Sequence, residues 1–194
     1  MRWFWIDRFT QFISGQQATA LKCVSLAEDH MHDHWVDYPV MPNSLVTEGM
    51  AQAGGLLVSE AYRFQELVVL GKVARARFHS RVRPGETLTY HVQVESLSEA
   101  GASVSATAHV GNRLHADARL TFARLKSAQL KGSAQLEDDG QVGASAPVHV
   151  SRLFRQSDLM HWLNLVGVFE VGVRPDGSHL QVSDYRLVDS EDGA

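Results

Sequence analysis

The sequence predicts an α+β fold in which a curved antiparallel sheet wraps one long helix. Three observations carry that reading. Strand-like and helix-like runs follow in the order two strands, one helix, four strands. The helix-like run holds a block of small residues at its middle, Ala51, Ala53, Gly54 and Gly55. The later runs alternate apolar and polar side chains, with Val92, Val94, Val104, Leu120 and Phe122 on one side, as half-buried antiparallel strands do.

Phe4 to Ile13 is rich in aromatic and β-branched residues, Ser14-Gly15 supplies a turn, and Gln16 to Val24 alternates, so the two runs read as a hairpin. Asp29 to Pro42 has no period; three histidines, two prolines and several acids mark it as a loop. Asn43 to Phe64 reads as a helix, capped by Asn43 or Ser44, with Leu45, Met50, Ala53, Leu56 and Leu57 on its apolar side. Glycine costs about 1 kcal/mol against alanine inside a helix. A neighbour passing close to the backbone, such as a sheet curled around it, explains the small block. Four strands are expected at Val68 to Val82, Thr87 to Leu97, Ala102 to Val110 and Arg113 to Leu125. Turns at Arg83-Pro84-Gly85-Glu86, Glu99-Ala100-Gly101 and Gly111-Asn112 separate them. Ser127 to Ala146, rich in Gly, Ala, Ser, Gln and Asp, reads as a linker. Beyond it, Ser157-Asp158 opens a short helix that runs through Val166 and ends near Gly167. A strand or hairpin with a turn at Pro175-Asp176-Gly177 follows. The expected organisation is a domain at 1–126, a linker at 127–146 and a C-terminal extension at 147–194.

The bulk numbers exclude some functions. The chain has 194 residues, 44% of them hydrophobic and 21% charged, ordinary values for a globular protein. The formal net charge is -4 with both signs mixed along the chain, which argues against a sequence-independent nucleic-acid binder. The single cysteine, Cys23, rules out an intrachain disulfide and is expected to be a small buried hydrophobe in its strand. Asp7 and Arg8 interrupt the apolar start before a signal-peptide core can form, and no run approaches the roughly 18 apolar residues of a membrane span. A cytoplasmic protein with no membrane association is expected.

The chemistry concentrates between His34 and Ala53. A histidine precedes a helix, a carboxylate (Glu48) sits in the helix's second turn, and the helix opens at Asn43 with its unpaired first-turn N–H groups. Removing water from a 3-hydroxyacyl thioester needs three things. A base must take the α-proton, a donor must hold the charge on the thioester oxygen, and an acid must protonate the departing hydroxyl. Histidine suits the first at neutral pH, a helix N-terminus the second, and a carboxyl group in an apolar pocket the third.

The loop and helix resemble those of the bacterial 3-hydroxyacyl-acyl-carrier-protein dehydratases, a hot-dog-fold family of FabZ and FabA type. The run Asp33-His34-Trp35-Val36-Asp37-Tyr38-Pro39-Val40-Met41-Pro42-Asn43 fills the frame of the family loop Gly-His-Phe-Pro-Gly-x-Pro-Val-Met-Pro-Gly. Glu48 and Met50-Ala51-Gln52-Ala53-Gly54 fall in register behind it. Ala74-Arg75-Ala76-Arg77-Phe78 and the turn Arg83-Pro84-Gly85-Glu86 resemble the strand and turn that line the family's acyl tunnel. The resemblance covers roughly Trp3 to Leu125. It implies the hot-dog fold, His34 as general base, Glu48 as acid, and Val40, Asn43, Gln52 and Phe78 as substrate-binding positions. The Asn43 N–H would polarise the thioester and the Val40 carbonyl would orient the His34 ring.

It also implies production of a trans-2-enoyl thioester from a (3R)-hydroxyacyl chain on acyl carrier protein, no cofactor, and a site shared between two copies. At least a homodimer is therefore expected, with a hexamer as the larger assembly the family allows. The chain departs from the pattern at Asp33, Val36 and Asp37, where the family has Gly, Pro and Gly. An unusual backbone angle there would require a reshaped loop. Glu48 is the form common in the broad-range dehydratases and leaves chain length and double-bond isomerisation open. Other readings are weighed beside these. His30, His32 and His34 alternate and could chelate a metal if extended, although surface histidines account for His30 and His32 and no metal is expected. Trp3, Phe4 and Trp5 fill a core or interface. Arg75 and Arg77 either steer the acidic carrier or are simply solvated. A hot-dog thioesterase and a non-catalytic acyl-thioester-binding module are the two functional alternatives.

Overall fold

Phe9 and Phe12 are three residues apart, so strict alternation would place them on opposite faces of a strand. Both are nevertheless buried. In the computed structural model, which describes residues 4–125 and 156–185, a register shift between Phe9 and Gln11 turns both rings inward, where they meet edge to face at 5.3 Å. This first strand, β1 (Arg8–Ile13), pairs antiparallel with β2 (Gln17–Cys23) across the turn at Ser14-Gly15, as the hairpin reading expects. Four further strands follow the main helix: β3 (Leu67–Phe78), β4 (Thr87–Ser98), β5 (Gly101–Val110) and β6 (Arg113–Leu125). With the short β7 (Gly172–Val173), they form one sheet in the order β3-β6-β5-β4-β2-β1-β7.

The sheet curls around α2 (Asn43–Ala61). Inward positions facing the helix are Leu88, Tyr90 and Val92 on β4, Val104, Ala106 and Ala108 on β5, and Ala116, Ala118, Leu120 and Phe122 on β6. Tyr90 pairs with Ala108 and Ala106 with Ala118, so alanines on β5 and β6 stand beside the bulkier inward residues of the sheet. The helix answers with its own small residues. A Cβ on Gly54 would lie 3.2 Å from Val104, one on Gly55 3.2 Å from Phe122, and one on Gly49 only 2.5 Å from the Tyr90 ring. The close approach expected from the small block is therefore the sheet itself.

Several expectations are corrected. Asp29–Pro42 is not wholly a loop, because His30–Asp33 forms a helical turn, α1, anchored by buried Met31. The three alternating histidines therefore do not share one side of an extended segment, and among the described residues no group of three or more His, Cys, Asp or Glu could hold a metal. Pro42, with extended backbone, occupies the N-cap of α2 and makes no side-chain cap, so neither Asn43 nor Ser44 caps it. Cys23 is the last residue of β2 and is exposed, because alternation puts Ala18, Ala20 and Lys22 on the inner face instead. Lys22 is buried there and pairs with Glu28 at 2.6 Å and Asp7 at 3.5 Å.

The expected linker, 127–146, and Trp3 lie outside the described residues. The C-terminal helix is present as α3 (Gln156–Leu165), followed at Gly167 (φ 77°) by the short α4 (Val168–Val171). Met160, Leu163, Val166, Val168 and Leu180 belong to the same core as the sheet. β7 adds in parallel to β1, and the turn at Pro175-Asp176-Gly177 returns the chain to a bridge between Val173 and His179. No helix among the described residues is long and apolar enough to cross a membrane.

Candidate active site

The loop carrying His34 is pinned at both ends. On one side, Met31 is buried and the His34 N–H donates to the His30 carbonyl at 3.3 Å, closing the turn of α1. Glu28 fastens this turn to β2 through Lys22 and accepts the Ser25 N–H at 3.0 Å. Burial works against its ionisation, but these partners hold its carboxyl below the ordinary range. The His30 ring meets Trp5 edge-on at 5.0 Å and is half-buried, which its reading as a surface histidine does not anticipate. Burial pushes its pKa down. His32 is exposed, and its ring bonds the Leu26 carbonyl at 2.7 Å. On the other side, Met41 is buried and its N–H donates to Val82 at 2.8 Å.

Between these anchors lie the positions that depart from the family pattern. Asp33 is helical and Val36 is 81% exposed, so neither meets a demand only Gly or Pro could satisfy. Asp37 is different. Its φ of 60° lies in the left-handed region, so the loop retains a glycine-like bend with an aspartate in it. The neighbouring Tyr38 is tied down by Arg81, whose guanidinium lies 5.2 Å above its ring and bonds its hydroxyl.

His34, Val40, Asn43 and Phe78 line one cleft of about 650 Å³, together with Tyr38, His79, Ser80 and Arg81. His34 also borders a wider cleft of about 850 Å³ with Trp5, His30 and Leu45. Four of the six sequence-predicted residues thus face a common space in one chain. His34 is exposed, and its ring lies 5.5 Å from that of Trp35. Asn43 stands at the first position of α2, where backbone N–H groups have no intrahelical acceptor.

Glu48 and Gln52 face elsewhere. They line a third cavity of about 440 Å³ with Leu56, Phe122, Leu67, Val68 and Leu70. The two are one helical turn apart, and Gln52 Nε2 donates to Glu48 Oε1 at 2.9 Å while Gln52 Oε1 accepts the Trp5 N–H at 2.8 Å. Gln52 therefore fixes the carboxylate from the β1 side. None of the three cavities is lined by both His34 and Glu48.

Sequence reasoning missed the His79–Asp117 pair. His79 Nε2 meets Asp117 Oδ2 at 2.7 Å at the rim of the His34 cleft, and that bond holds the Asp117 carboxyl below its ordinary range. The signal was the alternate spacing of Arg75 and Arg77 on β3 and of His79 just after it; Arg75 also reaches Asp117 at 3.3 Å. Their acidic partner depends on the register Arg77 to Asp117, which sequence alone does not set. Beneath the cleft, His115 is fully buried, and burial pushes its pKa down.

The sequence model of the FabA-like domain matches residues 3–120. The chain is 34% identical over 118 residues to the 3-hydroxyacyl-acyl-carrier-protein dehydratase FabZ of Levilactobacillus brevis, covering 60% of this chain and 80% of that protein. It is 35% identical over 119 residues to the FabZ of Pelotomaculum thermopropionicum, covering 61% and 85%. The dehydratase heterocomplex ApeI:P from Xenorhabdus doucetiae shares the fold, with a TM-score of 0.53 at 15% identity over 65% of this chain and 86% of that one. A model that matches well over half of the chain, and relatives aligned over most of their own length, place the chain in the FabA-like domain family.

Proposed function

We propose that this protein dehydrates (3R)-hydroxyacyl-acyl-carrier-protein thioesters to trans-2-enoyl thioesters in fatty acid synthesis, as a homodimer whose sites each take His34 from one copy and Glu48 from the other. His34 removes the α-proton. The Asn43 N–H, at the positive end of α2, holds the negative charge that builds on the thioester oxygen. Glu48 protonates the β-hydroxyl, which leaves as water. His34 ends the step protonated and Glu48 ends it as a carboxylate, so passage of one proton from His34 to Glu48 through solvent restores both groups; the proton and hydroxyl lost from the substrate leave as water, and the step calls for no cofactor. Phe78 lines the channel, and Gln52 keeps the Glu48 carboxyl aimed.

The observation that carries this reading is the placement of the two half-sites along β3. Among the described residues this strand is an edge with no partner on one side, and Leu70 and Val73 on it are about two-fifths exposed, at 39% and 41%. The Glu48 cavity lies at its start, beside Leu67, Val68 and Leu70; the His34 cleft lies at its end, beside Phe78. Antiparallel pairing of β3 with its own copy sets start against end. It therefore brings each His34 cleft to the partner's Glu48 cavity and covers the exposed edge. Residues 1–126 would form the dehydratase unit and 147–194 an appended segment joined to it by 127–146. The exposed Arg75 and Arg77 on β3 suit an acidic carrier protein.

Mixing separately inactive variants tests the shared site. His34→Ala and Glu48→Gln should each lose enoyl formation, and co-refolding them in equal amounts should restore about a quarter of the wild-type sites. Full activity in either single variant, or no recovery on mixing, refutes the assignment. Release of free thiol in place of enoyl absorbance would mark a thioesterase.

A further inference from the structure

The cavity that holds Glu48 is lined in part by residues from outside the matched domain. Its lining includes Leu159 and Trp162 of α3, whereas the family match ends at residue 120. These two side chains are three positions apart and share a helix face. Met160 and Leu163, one step round, are buried in the main core. The helix is thus a wedge, one side seated in the core and the other turned to the cavity.

The wedge is held firmly. Trp162 stacks on Phe4 with ring centroids 3.4 Å apart and an interplanar angle of 16°. The Phe9 N–H donates to the Val166 carbonyl at 2.7 Å. Farther on, the Tyr185 hydroxyl donates to the buried carboxylate of Glu60 at 2.8 Å, and Arg63 reaches the Asp184 carbonyl at 2.5 Å. The extension is therefore fastened to α2 at its far end as well as to β1.

Glu48, Gln52 and Leu56 form one stripe of α2 at four-residue spacing, all lining this cavity. From Glu48 to Leu56 is about 12 Å along the axis. Beside the carboxyl and amide, the cavity's lining is largely apolar, with Leu56, Phe122, Leu159 and Trp162 among it. An acyl chain whose β-carbon sits at Glu48 has its apolar remainder to place, and this is the apolar space continuous with that carboxyl.

We propose that α3 sets the length of acyl chain this site accepts, with Trp162 and Leu159 forming the wall against which the chain's far end stops. This inference rests on the dehydratase reading above. One methylene more or less against a pocket wall changes kcat/KM by about tenfold. Trp162→Ala and, as a smaller change that leaves the Phe4 stack in place, Leu159→Ala should therefore raise kcat/KM for long relative to short 3-hydroxyacyl thioesters by about tenfold.

The test uses the full chain and reads two quantities. One is enoyl formation across a series of straight-chain substrates, for wild type and both variants. The other is the site labelled by an acyl thioester carrying a photoreactive diazirine at its far end. A shifted chain-length ratio with label on α3 is the expected result. Turnover with an unchanged ratio in both variants overturns the proposal, whether or not α3 is labelled, since contact without discrimination sets no length. Absence of turnover on every chain would sink the dehydratase reading. Labelling competed by straight-chain thioesters of each length would then decide this one; label away from α3, or a length dependence of competition unchanged in both variants, overturns it.

Discussion

Gly49→Ala is the sharpest test of how the sheet grips the helix. The new Cβ would lie 2.5 Å from both Cζ and the hydroxyl oxygen of Tyr90 and 2.7 Å from Cε2. Tyr90 has no exposed surface, so its ring has nowhere to swing. Two effects compete. Alanine is favoured over glycine inside a helix by about 1 kcal/mol, and overpacking a tight core costs about 1–3 kcal/mol. The contact is with the body of a wedged ring, and not with the tip of a flexible chain, so the upper part of that cost applies. The net is a loss of about 1–2 kcal/mol, or a fall in Tm of about 2–8 °C for a chain this long. Urea titration and thermal melting of wild type and variant measure it. The Tyr90 hydroxyl is buried with no hydrogen-bond partner among the described residues, and burial raises its pKa. Tyr90→Phe should therefore be neutral or stabilising alone and should recover part of the Gly49→Ala loss. A Gly49→Ala protein that melts at or above the wild-type temperature would refute the reasoning, because helix propensity would then outweigh the contact.

Asp37→Gly should be neutral or stabilise by about 1 kcal/mol, while Asp37→Val should destabilise the loop and lower kcat, because a β-branched residue tolerates the left-handed backbone poorly; melting curves and turnover check both. Gln52→Ala should lower kcat by about 10–100-fold with little change in melting temperature, since it removes the donor that aims Glu48; an unchanged kcat would show that the carboxyl needs no such support. His115 is buried with its pKa depressed, so its contribution to stability is complete above about 6.5, its ordinary value, and is lost as the pH falls through the lower folded value. Between those two values the unfolded chain binds the proton and the folded chain does not, so His115→Leu should flatten the fall in urea-unfolding free energy on acidification.

The small block on α2 was legible because it records a local demand. A helix that spends Gly54 and Gly55 in its interior must be meeting something close to its backbone, and the structure supplies Val104 and Phe122. The order of elements along the chain and the turn at Gly85 (φ 88°) were legible for the same reason, since alternation and turn chemistry are written within a few residues. The bulge that turns both Phe9 and Phe12 inward and the pairing of His79 with Asp117 were not, because each depends on which residue of a neighbouring strand falls opposite. Cys23 was misplaced by the same one-residue margin. Of the candidate site, His34, Val40, Asn43 and Phe78 line one cleft and Glu48 and Gln52 another.

The departures around His34 carry a physical lesson of their own. A loop that reads Gly-x-x-x-Gly in its relatives needs some other means of holding its shape when both glycines are replaced. At Asp33 no cost arises, because the residue has become helical and any side chain fits there. At Asp37 the backbone still bends through φ 60°, which is strained by about 1–2 kcal/mol for most residues but less for aspartate. The tethers on either side offset that strain: Met31 and Met41 buried, Glu28 bridged to Lys22, and Tyr38 clamped by Arg81. If the clamp keeps the bend, Tyr38→Phe should loosen the loop and its effect should shrink in an Asp37→Gly background, where the bend needs less holding. Equal effects of Tyr38→Phe in both backgrounds, measured as kcat and as amide exchange across 34–41, would show that the bend and the clamp are independent.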